Sequence, residues 1–246
     1  FTPNDPKWSE QWGPRKIGAD WAWNTTVGDH SVLVAVVDTG IDYNHPDMSP
    51  NYIPLGYDWA NNDSDPMDDH GHGTHVAGVI AGALNNAIGI AGLAQVGIMA
   101  EKVLDSSGGG FDSWVANGII DAADKGADII SMSLGGYFSS ETLYHAVKYA
   151  YGHGVLLIAA AGNDAANAPS YPAYYEEVIA VAATDRDDSP AYFANFGPWI
   201  ELSAPGVSIY STFLDNTYYN ASGTSMATPH VAGTAALVLS RFPQFT

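Results

Sequence analysis

The amino-acid sequence predicts an α/β fold: a mainly parallel, doubly wound sheet with helices on both faces, three layers in all. Three observations carry this. Ser31-Val-Leu-Val-Ala-Val-Val37 is a nearly unbroken apolar run, as a strand buried on both faces requires, without the in–out alternation of a half-exposed sheet. Further runs of this kind alternate with longer helical segments, which is the pattern of βαβ units. Several runs end in polar or small residues, at Asp38-Thr-Gly40, Ser133-Leu-Gly-Gly136 and Ala161-Gly-Asn163. In open α/β sheets, sites form where strands end at their carboxyl edge.

Residues 1–30, rich in Trp, Pro and Asp, read as irregular. The strand at 31–37 is followed by Asp38-Thr-Gly40, Asp47 in a proline-bounded loop, and an acidic loop over 58–71. A helix runs from His72 to about Leu84; its many small residues predict close packing. Strands are expected at 96–104, 127–133, 155–160 and 178–183, with shorter ones at 200–204 and 208–212. Helices are expected near 112–125, near 140–152, and from Ser225 to about Arg241. The composition carries no internal repeat and no linker, so residues 1–246 are expected to form one domain.

With 27 acidic and 8 basic residues the formal charge is −19, which argues against nucleic acid and for solubility and cation binding. No stretch is long and apolar enough to span a membrane. The absence of cysteine excludes disulfides, thiolate metal sites and a cysteine nucleophile.

Chemistry centres on Asn220-Ala-Ser-Gly-Thr-Ser225-Met-Ala-Thr-Pro-His230-Val-Ala-Gly233. Gly223 is expected to give the chain a sharp turn, and Ser225 falls in the first helical turn, among N–H groups without intrahelical partners. Pro229 is expected to remove only a donor that is unpaired in any case. Taken alone, Ser225 reads as a helix cap as readily as a nucleophile. Asp38 alone reads as a turn residue, and Asn163 as a loop-capping amide. His72, in Asp69-His-Gly-His72-Gly-Thr-His75, can take a proton from a serine hydroxyl and return it to a leaving amine. The chain order Asp38, His72, Ser225 is one of those in which nucleophile, base and orienting acid recur.

Val37-Asp-Thr-Gly-Ile-Asp42, His72-Gly-Thr-His-Val-Ala-Gly78 and Gly223-Thr-Ser-Met-Ala-Thr-Pro-His-Val-Ala-Gly233 resemble the three signature segments of the subtilase family. Ser133-Leu-Gly-Gly136 and Ala160-Ala-Gly-Asn163 are similar to its substrate-edge and oxyanion segments. Thr2-Pro-Asn-Asp-Pro6 and Tyr171-Pro-Ala-Tyr-Tyr175 resemble the thermitase branch. The resemblance covers nearly the whole chain in the family's order and implies a subtilisin-like fold. It implies a secreted, monomeric serine endopeptidase acting on polypeptides and matured from a precursor with an N-terminal propeptide. Ser225 is then the nucleophile, His72 the base and acid, and Asp38 the orienting acid. Asn163 and the Ser225 N–H form the oxyanion hole. Gly108, Gly109, Gly110, Ser133, Leu134 and Gly135 match segments that hold extended peptide as an added strand. Ala160, Gly162 and Gly135 line a roomy pocket, so broad specificity with a large apolar or aromatic residue before the scissile bond is expected.

The resemblance also implies structural calcium. Asp58, Asn61, Asp63, Asp65 and Met67 match one site, although the loop fails the EF-hand pattern and Asn61 stands where the branch carries an acid. Asp5, Asp47 and Asn86, with the carbonyls of Ala83, Ile88 and Ile90, match a second that clips the N-terminus to the core. A third, weak cation site near Ala173, Tyr175 and Val178 is also implied. Zinc at His70, His72 and His75 is disfavoured, because it competes with catalysis for His72 and the H-E-x-x-H pattern is absent. Family catalytic domains continue beyond the segment matching Thr246, so the domain is expected to lack its C-terminal elements.

The rival from another class is a catalytically silent peptide-binding module on the same fold. An α/β-hydrolase-type acyl hydrolase is disfavoured by the missing G-x-S-x-G elbow around Ser225.

Overall fold

The computed structural model describes residues 1–245. Strand β1 (Leu33–Asp38) is buried from Val34 onward, as its apolar run demands. It is flanked by β2 (Tyr57–Asp58), β3 (Gly97–Lys102), β4 (Ile129–Met132), β5 (Leu156–Ala160), β6 (Val178–Thr184) and β7 (Leu202–Pro205). These form one sheet in the order β2-β3-β1-β4-β5-β6-β7, with every pairing parallel. The chain leaves β1 for β2 and β3 on one side, then crosses to β4 on the other. That reversal at β1 is a topological switch point, where a crevice opens at the carboxyl edge.

Alternate strand residues feed two cores. Val34, Val36, Ile98, Ile158 and Val181 pack in one, with Val76, Ile80, Met226 and Leu237. Ala35, Val37, Met99, Ile130 and Leu157 pack in the other, with Val115, Ile119, Leu143 and Val147. The first set of helical partners lies on α3 (His72–Ala81) and α6 (Thr224–Arg241), the second on α4 (Asp112–Asp124) and α5 (Glu141–Gly152). The three-layer α/β/α arrangement follows, with α3 against α6 and α4 against α5.

The structure adds elements that the sequence does not suggest. The N-terminal segment read as irregular carries two short helices, α1 (Trp12–Lys16) and α2 (Ala19–Ala22), each too brief to show a period. The strand expected at 208–212, β8 (Ile209–Phe213), pairs antiparallel with an unexpected β9 (Thr217–Ala221), whose residues are exposed or only half-buried and so lack an apolar run. The His72 helix ends at Ala81, short of Leu84, because Gly82 adopts an extended conformation.

Candidate active site

Asp38 is the last residue of β1 and fully buried, while His72 opens α3. The residue before His72, Gly71, has φ +100°, and a Cβ there would lie 2.4 Å from the Phe213 ring, so glycine is required on both counts. Asp38 Oδ1 lies 2.7 Å from His72 Nδ1 and also accepts the Thr39 N–H at 2.7 Å. A carboxylate can only accept, so Nδ1 carries the proton and Nε2 keeps its lone pair for a substrate-side proton. Burial acts to lower the His72 pKa, but the Asp38 charge, its hydrogen bond and the more distant Asp68 charge outweigh it, and the net shift is upward.

Asp68 is a supporting residue that sequence reasoning placed only in the acidic loop. Its side chain is 5% exposed. Oδ1 accepts from Thr39 Oγ1 and from the N–H groups of His70 and Gly71, each at 2.9 Å. Oδ2 accepts from Thr74 N at 2.9 Å and Thr74 Oγ1 at 2.6 Å. Five donors thus fix this carboxylate between the end of β1 and the N-terminus of α3, which its charge also favours. The available signal was its position four residues before His72.

Ser225 is the second residue of α6. Gly223 before it is extended, at φ 162° and ψ 162°, and a Cβ there would meet nothing closer than 3.6 Å. The expected need for a glycine turn is therefore not met at this position. The expectation for Pro229 also fails. As the sixth residue of α6 it removes the donor that would bond the Ser225 carbonyl. Ser133 Oγ supplies that bond instead, at 2.8 Å. The Ser225 hydroxyl donates to the Ser133 carbonyl at 3.2 Å, and no hydrogen bond joins it to His72 Nε2 among the described residues.

Asn163 follows β5 and faces the same helix end. Its Oδ1 accepts from Thr224 N at 2.9 Å and Thr224 Oγ1 at 3.1 Å. Because a backbone N–H only donates, Oδ1 must face it, and the Nδ2 donors are left free. The Ser225 N–H likewise has no acceptor among the described residues. Two free donors beside a hydroxyl at a helix N-terminus can hold a developing oxyanion. Asn195, 2% exposed, braces this loop: Oδ1 accepts from Asp164 N at 2.9 Å, and Nδ2 donates to Ala161 O at 3.0 Å. Nothing in its sequence surroundings marked it.

A groove leads away from His72. A cavity of about 530 Å³ has Gly108, Gly109 and Gly110 on one wall, Ser133, Leu134 and Gly135 on the other, and His72 beside them. Both walls lie outside the sheet; Gly108 and Gly109 are engaged by Asp105, while the backbone groups of Gly110, Leu134 and Gly135 have no partner among the described residues and can pair with an extended peptide. A second cavity, about 210 Å³, holds Ser225 and Asn163 together with Gly135, Ala160 and Gly162.

The proposed cation ligands fall into two groups. Asp5 (4% exposed) and Asp47 (0%) converge on the 85–90 loop. Asp5 accepts the N–H groups of Asn85 and Asn86, at 2.8 and 3.1 Å, and Asp47 accepts Asn86 Nδ2 and the Ile90 N–H, each at 2.8 Å. Burial, and to a lesser degree Asp47, push the Asp5 carboxyl above its ordinary range; burial does the same to Asp47. No Lys or Arg pairs with either carboxylate, and the carbonyls of Ala83, Ile88 and Ile90 accept no hydrogen bond among the described residues. This donor set fits a hard cation. The other loop is less gathered. Asp58 bonds Asn61 N and Nδ2 at 2.8 Å each, but Asp65 accepts from Tyr43 at 2.6 Å. No three carboxylate or imidazole side chains converge among the described residues. Met67 adds no carboxylate, and in the segment around Ala173, Tyr175 and Val178 the Glu177 carboxylate pairs with Lys148 at 3.2 Å.

His75 points away from His72's partners. Its Nε2 lies 3.0 Å from Ile209 O and 3.1 Å from Tyr219 O, bridging the β8–β9 hairpin, and burial lowers its pKa to about 4.

The profile described as the subtilase family matches residues 29–246. The chain is 49% identical to thermitase of Thermoactinomyces vulgaris over 98% of its own length and 86% of that protein's. It is 49% identical to a thermophilic serine proteinase of Bacillus sp. strain AK1, over 98% of this chain and 60% of the relative. A halolysin-like extracellular serine protease, Nep, of Natrialba magadii is 44% identical over 98% of this chain, which spans 46% of that relative.

Proposed function

The chain belongs to the subtilase family, as a subtilisin-like serine endopeptidase, and from that membership we propose that it hydrolyses polypeptides through an acyl-enzyme formed on Ser225. The observation that carries this is the convergence of Asp38–His72, the Ser225 helix terminus and the free Asn163 amide at one sheet edge. His72 Nε2 takes the hydroxyl proton as Ser225 Oγ attacks the scissile carbonyl. The Ser225 N–H and Asn163 Nδ2 hold the oxyanion, and His72 then protonates the leaving amine. Asp38 keeps the Nδ1–H tautomer in place. Water, deprotonated by the same imidazole, releases the acid and restores Ser225.

Substrate lies extended between Gly108–Gly110 and Ser133–Gly135, pairing through its backbone. The residue before the scissile bond enters the pocket beside Ser225, where the small residues Gly135, Ala160 and Gly162 leave room, so large apolar or aromatic side chains are preferred there.

Calcium fits best at Asp5, Asp47, Asn86 and the Ala83, Ile88 and Ile90 carbonyls. There it would neutralise two buried carboxylates and tie the N-terminus to the core, stabilising the fold by mass action. The Asp58–Met67 loop is a weaker second site and the 173–178 segment a third. The protein acts as a secreted monomer processed from a propeptide-bearing precursor. An extracellular relative supports secretion, and no helix among the described residues is long and apolar enough to cross a membrane. Hydrolysis of a chromogenic peptide by the wild type and its loss in Ser225→Ala tests the proposal; equal rates would overturn it and favour the silent peptide-binding module.

A further inference from the structure

The two walls of the pocket beside Ser225 each continue into a side chain that reaches toward the other. Ser133–Gly136 runs into Tyr137, and Ala160–Asn163 runs into Asp164. The Tyr137 hydroxyl donates to Asp164 Oδ1 at 3.0 Å. Both residues are exposed, Tyr137 by 67%, so the bond closes the solvent rim of the pocket.

Both backbones are fixed independently of that bond. Gly136, next to Tyr137, exchanges two hydrogen bonds of 2.8 Å with Tyr171. The Asp164 N–H is held by Asn195. Asp164 is the one acidic side chain lining the pocket among the described residues. Its carboxylate accepts no other hydrogen bond among them, and the tyrosine's bond, with the carboxylate's charge behind it, raises the pKa of the Tyr137 phenol above its usual range. The remaining wall is glycine, alanine, leucine and uncharged polar groups.

We propose that the Tyr137–Asp164 pair is a specificity gate: Tyr137 engages the one charged side chain that lines the pocket among the described residues, and a basic side chain before the scissile bond must compete with its hydroxyl for the carboxylate. With the pair closed, the pocket presents an aromatic edge beside the small residues Gly135, Ala160 and Gly162, and uncharged side chains are favoured. A Lys or Arg long enough to reach the rim meets a carboxylate whose Oδ1 is already engaged by the tyrosine hydroxyl, and so gains less from it than from a bare Asp164. Removing the tyrosine hydroxyl releases the carboxylate to such a substrate; removing the carboxylate leaves a cation nothing to find.

This inference rests on the peptidase reading and is tested by a ratio within that activity. The kcat/KM values for two peptides that differ only in Phe or Lys before the scissile bond are compared in the wild type, Tyr137→Phe, Asp164→Asn and the double variant. The Lys/Phe ratio is expected to rise about two- to fivefold in Tyr137→Phe, the range for an exposed charge pair. It falls below the wild-type value in Asp164→Asn, and in that background Tyr137→Phe adds nothing. An unchanged ratio in Tyr137→Phe, or a change that persists without the Asp164 carboxylate, overturns the gate. A wild type that cleaves neither peptide and resists a serine-directed irreversible inhibitor overturns the peptidase reading, and the gate with it.

Discussion

Ser133 Oγ donates to the Ser225 carbonyl at 2.8 Å, and the Ser225 hydroxyl donates back to the Ser133 carbonyl at 3.2 Å. The first bond replaces the one that Pro229 removes from α6, so a proline in the nucleophile helix is compensated by the strand edge that lines the substrate groove. The second gives the Ser225 hydroxyl proton to the strand edge rather than to His72. Ser133→Ala is therefore expected to lower stability by about 1 kcal/mol, the usual worth of one hydrogen bond, and to lower kcat/KM. Ser133→Thr, which keeps the hydroxyl, restores both. Urea denaturation of inhibitor-blocked protein and peptide hydrolysis read the two effects. An unaltered Ala variant contradicts the compensation.

Asp68 acts on His72 through charge and through its five donors. His72 must be neutral to accept a proton, so kcat/KM falls on the acid side with an apparent pKa above the ordinary histidine value. In Asp68→Asn that limb moves to lower pH, because one of the charges stabilising the imidazolium is gone. A limb that stays in place or moves upward would deny Asp68 an electrostatic role.

Asn163 offers the free donors of the oxyanion site. Asn163→Leu is expected to lower kcat by about 10²–10³, the loss seen in subtilisin, the family's type enzyme, with little change in KM. A loss confined to KM would instead make Asn163 a substrate-binding residue.

Glu101, on β3 and fully buried, has its pKa pushed up to about 9 by burial and by Asp121, against the opposing pull of Trp59 and Lys125. The folded protein therefore holds a proton that the unfolded chain releases near pH 4.5. The sign follows from linkage: Glu101's contribution is fully present below about pH 4.5 and is lost as pH rises toward 9. Glu101→Gln mimics the protonated acid, so its Tm matches the wild type near pH 5 and exceeds it near pH 9. Thermal unfolding of inhibitor-blocked protein across that range measures it; parallel curves would mean Glu101 is not protonated in the fold.

Asp5 and Asp47 are buried together, and among the described residues no Lys or Arg pairs with either. Strong chelation is expected to lower Tm in the wild type and to have a much smaller effect in Asp47→Asn, which has lost a ligand. Tm insensitive to chelation in the wild type counts against a structural cation.

Fold and catalytic residues were legible for different reasons. The apolar runs at 31–37 and 155–160 fixed buried strands through composition alone, and strand ends located Asp38 and Asn163. The hairpin partner at Thr217–Ala221 and the helices at Trp12–Lys16 and Ala19–Ala22 were hidden, one by exposure and the others by brevity. Pro229 was misread because its cost depends on which carbonyl it orphans, and that needs the helix start to within a residue. Asn195 and the Ser133 hydroxyl support the site across long sequence separations, which no local pattern records.

The most direct test is mass-spectrometric active-site titration with a fluorophosphonate at neutral pH. The account predicts one covalent adduct per chain, mapped to Ser225, lost in Ser225→Ala and strongly slowed in His72→Ala. Labelling that persists in Ser225→Ala, or a wild type that takes up no reagent, would contradict it.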